Sequence, residues 1–226
     1  MRIEQQNRFK DAPWFPQNDE TVMVGGAGGI GSWLSFFLVR AGFQPFVYDF
    51  DIIEEHNLGG QLFRVTDVGL AKTEAVQNIV REFAGVNINA VNQAITLESP
   101  THHFCFSAFD NMKARNEFFK VWQKSTEGCP VTPIFIDGRL EMEQLQVFCV
   151  TPDKIEEYER EHLFEDSEVP DAPCTMRQTS HTAAHIASVM VEFFTNHITN
   201  IYEREVLRYV PFYYEFFTPA VLTNTQ

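Results

Sequence analysis

The chain has 226 residues, of which 44% are hydrophobic and 21% charged, values typical of an ordinary globular protein. Its 17 basic and 31 acidic side chains give a net charge of −14, which repels phosphates and disfavours nucleic acid as the main ligand. No apolar run approaches the roughly 20 residues that span a bilayer, and residues 1–15 lack the apolar core of a signal peptide, so we predict a cytoplasmic protein without a membrane partner.

Strand and helix signals alternate after a polar N-terminal arm over residues 1–20. We predict strands at 21–26, 46–50, 88–95, 102–106 and 131–136. Helices are predicted at 31–41, 68–83 and 111–123. This alternation indicates an α/β fold, a Rossmann-like, doubly wound and mostly parallel sheet.

The pattern changes after Asp137. The remaining predicted elements are two strands and two helices, at 144–150, 205–214, 153–162 and 180–199. The first of these strands is expected to be antiparallel, which gives the sheet an antiparallel C-terminal extension. Residues 163–179 are predicted to form a crossover loop, and loops of that length in a compact domain are usually functional or mobile. We therefore predict a single domain over residues 21–226.

The cysteines and histidines do not predict a metal centre. The four cysteines form no CxxC pair and lie at positions 105, 129, 149 and 174. This argues for a reducing compartment and against disulfides or a cysteine zinc site, and Cys105 and Cys149 are predicted to be core strand residues. His181 and His185 have a spacing that can chelate a metal, but no third ligand is evident, so a capping or interface role is favoured.

A glycine cluster follows the first predicted strand and opens the first predicted helix. It reads Gly26-Ala27-Gly28-Gly29-Ile30-Gly31. Glycines allow a tight turn and a close approach of the backbone, and the helix N-terminus offers free N–H groups to phosphates. The cluster predicts a nucleotide site, with a purely structural glycine turn as the alternative.

Polar residues after the second predicted strand bear on which nucleotide binds. Asp49 closes that strand, where a carboxylate can accept hydrogen bonds from ribose hydroxyls, as in NAD-dependent enzymes. Asp51 lies on the same side of an extended chain, and a second carboxylate suits Mg²⁺ or an attacking group near ATP. Lys72 follows Gly69 near the start of a helix, where a lysine can neutralise phosphate charge, the alternative being a solvated helix lysine.

Together these motifs resemble the ubiquitin-activating-enzyme-like superfamily, which includes the bacterial ThiF, MoeB and HesA adenylyltransferases. Its members share, in order, GxGGxG, DxD, NLxRQ, GxxK and DxxDNxxxR. The chain has GAGGIG at 26–31, DFD at 49–51, NLGGQ at 57–61, GLAK at 69–72 and SAFDNMKAR at 107–115. The conjunction of motifs in this order is far more specific than any one of them.

The resemblance implies an ATP-dependent adenylyltransferase that activates the C-terminal carboxylate of a ubiquitin-like or sulfur-carrier protein. Such chemistry needs neutralised phosphates and a carboxylate in line with the α-phosphorus. The resemblance implies a ribose contact from Asp49, phosphate contacts from Asn57, Gln61 and Lys72, and Mg²⁺ at Asp110. Lys72 and Asp110 would thus be catalytic. The ATP-binding residues would be Arg8, Gly26, Gly28, Gly29, Gly31, Asp49, Asp51, Asn57, Gln61 and Lys72.

The resemblance also implies roles for two further residues, Cys174 and Arg8. Cys174 lies at the end of the crossover loop just before a helix, with Arg177 nearby, a position that favours a reactive thiolate. The family places a catalytic cysteine in this kind of loop, so Cys174 is the candidate for a thioester link, the alternative being a loop cysteine without chemistry. Relatives also lend an arm arginine across a homodimer to the partner's ATP site, which implies a homodimer and assigns Arg8 to that role.

The sequence departs from the family pattern in two places. Gly60 stands where the family has an arginine, so either Arg64 or another cation supplies that charge, or adenylation is slower or lost. The zinc-binding cysteine pairs of many relatives are missing, and no zinc is expected. Two alternatives stay open: an NAD(P)-dependent oxidoreductase, opposed by Asp51, Lys72 and Asp110, and a non-catalytic protein-binding module, favoured by Gly60.

Overall fold

The computed structural model describes residues 8–15, 20–141, 144–164, 179–203 and 205–217. Within these residues the strands are β1 (Thr21–Gly25), β2 (Gln44–Tyr48), β3 (Asn89–Val91), β4 (Phe104–Ser107), β5 (Ile134–Glu141), β6 (Gln144–Val150) and β7 (Tyr213–Phe217). The α-helices are α1 (Gly29–Ala41), α2 (Lys72–Ala84), α3 (Met112–Gln123), α4 (Ile155–His162) and α5 (Ser180–Tyr202). Short 3₁₀ turns occupy Glu55–Gly59, Val65–Asp67 and Pro152–Lys154. None of the helices in these ranges is long and apolar enough to cross a bilayer.

The strands form one sheet in the order β3-β2-β1-β4-β5-β6-β7. The neighbours among β1 to β5 pair in parallel, whereas β6 and β7 add antiparallel. The predicted Rossmann-like fold with an antiparallel C-terminal extension is confirmed. Because the strand order reverses between β1 and β4, a crevice opens at their carboxyl ends, where open α/β sheets bind ligands.

Successive residues of the central strands point into two cores, one on each face of the sheet. Val22 and Val24 belong to the core formed with α1 and α5, whereas Met23 belongs to the core formed with α3 and α4. Cys105 and Cys149 are buried in these two cores, as predicted. Strands buried on both faces read as continuous apolar runs, which is why they are recognisable in the sequence.

Most of the predicted elements differ from the structure at one or both ends, and β5, for example, spans Ile134–Glu141 and not 131–136. Helix α2 begins at Lys72 and not at residue 68, because Gly69 has a left-handed φ of +90° that a helix cannot contain. Strand β3 is only three residues long. The last strand begins at Tyr213 and not at residue 205, since the backbone carbonyls of Arg208 and Tyr209 accept hydrogen bonds from asparagine side chains of α5.

Candidate functional site

A cavity of about 390 Å³ lies at the carboxyl ends of β1, β2 and β4. Its lining includes most of the predicted site residues: Gly26, Gly28, Gly29, Asp49, Asp51, Gln61, Lys72 and Asp110. The lining does not include Gly31, Asn57 or Arg8. The fold therefore brings residues of five separate motifs to one cavity at the point where the strand order reverses.

Two glycines of the cluster differ in what surrounds them. A Cβ added to Gly28 would meet nothing closer than Gln61 Nε2, at 4.0 Å, so that side of the turn is open toward the cavity. A Cβ added to Gly31 would lie 1.8 Å from the Gly26 carbonyl oxygen. Gly31 thus allows the helix to approach the turn closely, and Gly28 leaves room for a ligand beside the N-terminus of α1.

The Asp49 carboxylate joins the glycine turn to the end of β2. Its Oδ2 accepts a hydrogen bond from Ala27 N–H at 2.7 Å, and its Oδ1 accepts one from Asp51 N–H at 2.8 Å. Burial raises the pKa of Asp49, although these two N–H groups and the charge of Lys72 oppose the rise. The carboxylate stands where acidic residues of dinucleotide-binding folds meet a ribose, and that contact stays a prediction.

Lys72 is held in the cavity wall by Asp51. Its Nζ lies 2.6 Å from Asp51 Oδ2, and its backbone N–H donates to the Asp51 carbonyl at 3.0 Å. The bridge between Ile52 and Ala71 ties the same two segments together. The Lys72 side chain is 10% exposed, against 52% for Asp51. The alternative of a solvated helix lysine is therefore wrong, because the Lys72 side chain is nearly buried in the cavity wall and its ammonium group is paired with Asp51.

The two amides of the NLGGQ motif have different positions. Gln61 lines the cavity, and its Oε1 is buried without a hydrogen-bond partner among the described residues. A buried polar atom of this kind is usually satisfied by a ligand or water. Asn57 Oδ1 instead accepts from Glu54 N–H at 2.9 Å, which closes its own turn. The structure does not bring Asn57 to the cavity, because the turn takes up its side-chain oxygen.

Asp110 lies exposed at the cavity on the loop between β4 and α3. Asn111 Nδ2 donates to Asp110 Oδ1 at 3.2 Å, and Asn111 Oδ1 caps α3 by accepting from Ala114 N–H at 2.8 Å. In the described part of the chain no three His, Cys, Asp or Glu residues cluster as a metal centre. Mg²⁺ beside nucleotide phosphates needs only one or two carboxylates, so Asp110 fits that ion.

Arg64 does not replace the arginine that is missing at Gly60. Its Nη1 pairs with Glu82 Oε1 at 2.7 Å, and it does not line the cavity. Lys113, which the sequence analysis did not single out, lines the cavity from the first turn of α3. Its position three residues after Asp110 is the signal that could have identified it.

The remaining predicted residues lie away from the cavity. Arg8 is exposed and does not line it, and Cys174 is outside the described residues. His181 Nδ1 lies 3.0 Å from Thr179 Oγ1 just before α5, and the His185 ring packs edge-on against Phe216 at 5.0 Å. The favoured capping or interface role of the two histidines stays a prediction.

The fold and the residues that line the cavity are consistent with one protein family. Residues 18–220 match the model of the ThiF family, and the chain belongs to that family. This assignment confirms the resemblance carried by the motifs.

Individual relatives match only parts of the chain. Ubiquitin-like modifier-activating enzyme 5 of Drosophila willistoni is 29% identical over 135 residues, which are 59% of this chain and 29% of the relative. tRNA threonylcarbamoyladenosine dehydratase 2 of Saccharomyces cerevisiae is 35% identical over 85 residues, which are 36% of this chain and 19% of the relative. The chain thus spans less than a third of the length of either relative.

Solved structures share the fold. The Escherichia coli tRNA N6-threonylcarbamoyladenosine dehydratase TcdA in complex with ATP superposes with a TM-score of 0.66 at 15% identity, covering 89% of this chain and 95% of that one. Escherichia coli MccB with ATP superposes with a TM-score of 0.60 at 16% identity, covering 90% and 61%. Identities this low establish a common fold and no common substrate.

Proposed function

We propose that the chain binds ATP in this cavity and adenylates a carboxylate of a second molecule. The observation that carries the proposal is the nearly buried ammonium group of Lys72 in the wall of the same cavity as Gly28 and Gly29. A cation at this place suits the charge of a triphosphate, whereas hydride transfer to a nicotinamide has no need of it. The solved relatives with ATP share the fold that forms the cavity.

In the proposed reaction, each functional group of the cavity has one role. A carboxylate oxygen of the substrate attacks the α-phosphorus of ATP, the bond to the bridging oxygen breaks, and pyrophosphate leaves. The N–H groups at the start of α1 and the Lys72 ammonium stabilise the phosphate charge, and Asp49 accepts hydrogen bonds from the ribose. Asp110 is the residue that would hold Mg²⁺, which neutralises further phosphate charge when bound. Lys72 exchanges Asp51 for phosphate as the nucleotide enters.

The substrate that we propose is the C-terminal carboxylate of a ubiquitin-like or sulfur-carrier protein. The motif resemblance and the name of the Drosophila relative support this choice. The yeast relative is named for a tRNA nucleoside, which makes tRNA the competing substrate. The net charge of −14 disfavours tRNA, because a protein that binds RNA needs a basic surface to neutralise phosphates.

The proposal includes a homodimer in a reducing cytoplasm. Arg8 is exposed and does not line the cavity of its own chain. This position is compatible with the predicted donation of Arg8 to the ATP site of a second copy. Lys113, already at the cavity, is the proposed substitute within the chain for the arginine missing at Gly60.

Lys72→Ala is expected to raise the Kd for MgATP about 10- to 100-fold, because a charge-assisted contact with phosphate is lost. Isothermal titration calorimetry measures the change. Lys120→Ala is the matched control, since Lys120 is exposed on α3 and is not among the residues lining the cavity. Tighter binding of NAD⁺ than of MgATP to the unmodified chain would instead support the oxidoreductase alternative.

Adenylation itself is measured by the exchange of ³²P-pyrophosphate into ATP. We expect exchange only when a carrier protein ending in Gly-Gly is present, because the reverse reaction needs an acyl-adenylate. ATP binding without exchange for any carrier would favour the non-catalytic module. Exchange driven by tRNA and not by a carrier would reassign the substrate.

Cys174 is proposed to receive the activated carrier. Its thiolate attacks the acyl carbon of the adenylate, AMP leaves, and a thioester forms. Incubation with ATP and the carrier should yield an adduct that dithiothreitol cleaves and that Cys174→Ala abolishes. Cys129→Ala serves as the control, since Cys129 is a partly exposed free cysteine. An adduct that persists in Cys174→Ala removes this cysteine from the mechanism.

A further inference from the structure

A group of charged and polar side chains lies in the protein interior, next to the loop between β4 and α3. We name it the Asp137 cluster, formed by Asp137, Arg115, Arg139 and Tyr158. The Asp137 carboxylate on β5 is completely buried. Its Oδ1 accepts from Arg115 Nε at 2.7 Å, and its Oδ2 accepts from Arg139 Nε at 2.7 Å and from the Tyr158 hydroxyl at 2.8 Å. One carboxylate therefore fixes three side chains from three different elements.

Arg115 connects the Asp137 cluster to the wall of the cavity. Arg115 Nη2 donates to the Phe109 carbonyl oxygen at 2.7 Å. Phe109 directly precedes Asp110, and both residues line the cavity. Arg115 is buried, so its position is set by packing as well as by hydrogen bonds. The guanidinium group thus links Asp137 to the peptide group that carries Asp110.

Arg139 connects the Asp137 cluster to α4 and β6, on the side away from the cavity. Arg139 Nη2 donates to the His162 carbonyl oxygen at 2.8 Å, at the end of α4, and its guanidinium lies 4.6 Å from the centre of the Phe148 ring. Tyr158 also belongs to α4. Neither Arg139 nor Tyr158 lines the cavity. The two sides of one carboxylate can therefore be perturbed separately.

We propose that Arg115 is a positioning residue for nucleotide binding, which holds the Phe109–Asp110 peptide so that the Asp110 carboxylate stays at the cavity. The inference rests on the proposed function, since it assigns Asp110 to Mg²⁺. A guanidinium reaches Asp137 through Nε and Phe109 through Nη2 at once, at fixed angles within one plane. A lysine has a single nitrogen on a flexible stem and cannot hold both partners in the same geometry.

Arg115→Lys tests the inference without removing the positive charge. The readout is the affinity for ATP by calorimetry, with Mg²⁺ and with EDTA, and the ratio of the two affinities is the magnesium gain. We expect Arg115→Lys to reduce the magnesium gain about tenfold, the size of effect usual for groups that orient a metal ligand. Tyr158→Phe removes a donor from the same carboxylate on the α4 side and should leave the gain unchanged.

A double-mutant cycle separates positioning from a general structural effect. If Arg115 acts through Asp110, Arg115→Lys in an Asp110→Asn background should change the magnesium gain less than twofold. A gain that Arg115→Lys leaves intact, or effects of the two substitutions that simply multiply, would overturn the inference. If Arg115→Lys does not unfold cooperatively, Arg115→Gln replaces it with the same expected loss. Failure of the unmodified chain to bind MgATP would count against the proposed function instead.

Discussion

Replacement of Asp137 by alanine is expected to lower the free energy of unfolding by about 3–5 kcal/mol. The substitution leaves the guanidinium groups of Arg115 and Arg139 in the protein interior without their shared counter-charge. Removal of one partner from a buried ionic group is strongly destabilising for this reason, even where the whole group adds little to stability. The hydroxyl of Tyr158 loses its acceptor as well.

Urea unfolding followed by far-UV circular dichroism measures this difference. Asp153→Ala is the matched control, because Asp153 is exposed in the 3₁₀ turn before α4, and surface substitutions change stability by about 0.5 kcal/mol or less. Asp137→Asn keeps the volume of the side chain and should fall between the two. A loss below about 1 kcal/mol in Asp137→Ala would contradict the assigned role of the buried carboxylate.

The loss of stability caused by Asp137→Ala is expected to depend on pH. Burial alone would raise the pKa of Asp137, but the charges and hydrogen bonds of Arg115 and Arg139 prevail and lower it from 3.8 to about 2. A carboxyl group whose pKa is lower in the folded state stabilises the fold fully above its unfolded pKa and loses that contribution as pH falls through the folded value. The stability difference between the unmodified chain and Asp137→Ala should therefore shrink between pH 3.8 and pH 2.

The second large effect is expected at Gly31, and it contrasts with Gly28. Gly31→Ala places a Cβ 1.8 Å from the Gly26 carbonyl oxygen, so the backbone of the turn or the helix must move. We expect a loss of about 3 kcal/mol in the free energy of unfolding, at the upper end of the usual cost of overpacking. The turn has little freedom to yield, because Gly26 N–H donates to the Tyr48 carbonyl at 2.8 Å.

Gly28→Ala is the matched substitution, with the same added methyl group in an open place. Its Cβ meets no atom closer than 4.0 Å, so stability should fall by no more than about 1 kcal/mol, the usual cost of alanine at a helix N-cap. The methyl group enters the cavity where phosphates are proposed to bind, and the Kd for MgATP should rise about tenfold. Thermal unfolding and calorimetry on both variants test the contrast. Equal stability losses in both would show that neither glycine has the separate role assigned to it.

Much of the fold follows from local features of the sequence. Helix α1 ends where predicted because Gly42 takes a left-handed φ of 104° and closes the helix with hydrogen bonds to Leu38 and Val39. The buried strands read as apolar runs, since both faces of the sheet are covered. The prediction fails where a local signal competes with the apolar spacing, as at Gly69, whose backbone conformation delays the start of α2 by four residues.

The candidate site is predictable in part, because the carboxyl ends of neighbouring parallel strands meet at one edge of the sheet. Asp49 and Asp110 could be assigned to that edge from their places after β2 and β4. The sequence could not show that Asn57 lies outside the site. The NLGGQ motif does not reveal that the side-chain oxygen of Asn57 accepts a hydrogen bond from Glu54 N–H. The pairing of Arg64 with Glu82 joins residues 18 positions apart and was equally hidden.

The sequence by itself determined the class of fold, the family and most of the predicted residues that line the cavity, because these depend on periodicity, glycine conformation and motif order. Only the tertiary structure decided that Asp51 neutralises Lys72, that Gly31 packs against the turn and that Asp137 joins Arg115 to Arg139. Arg115 and Asp137 are 22 residues apart, on a helix and a strand. Such contacts depend on how elements pack across the sheet, whereas propensity and spacing act over only a few neighbouring residues.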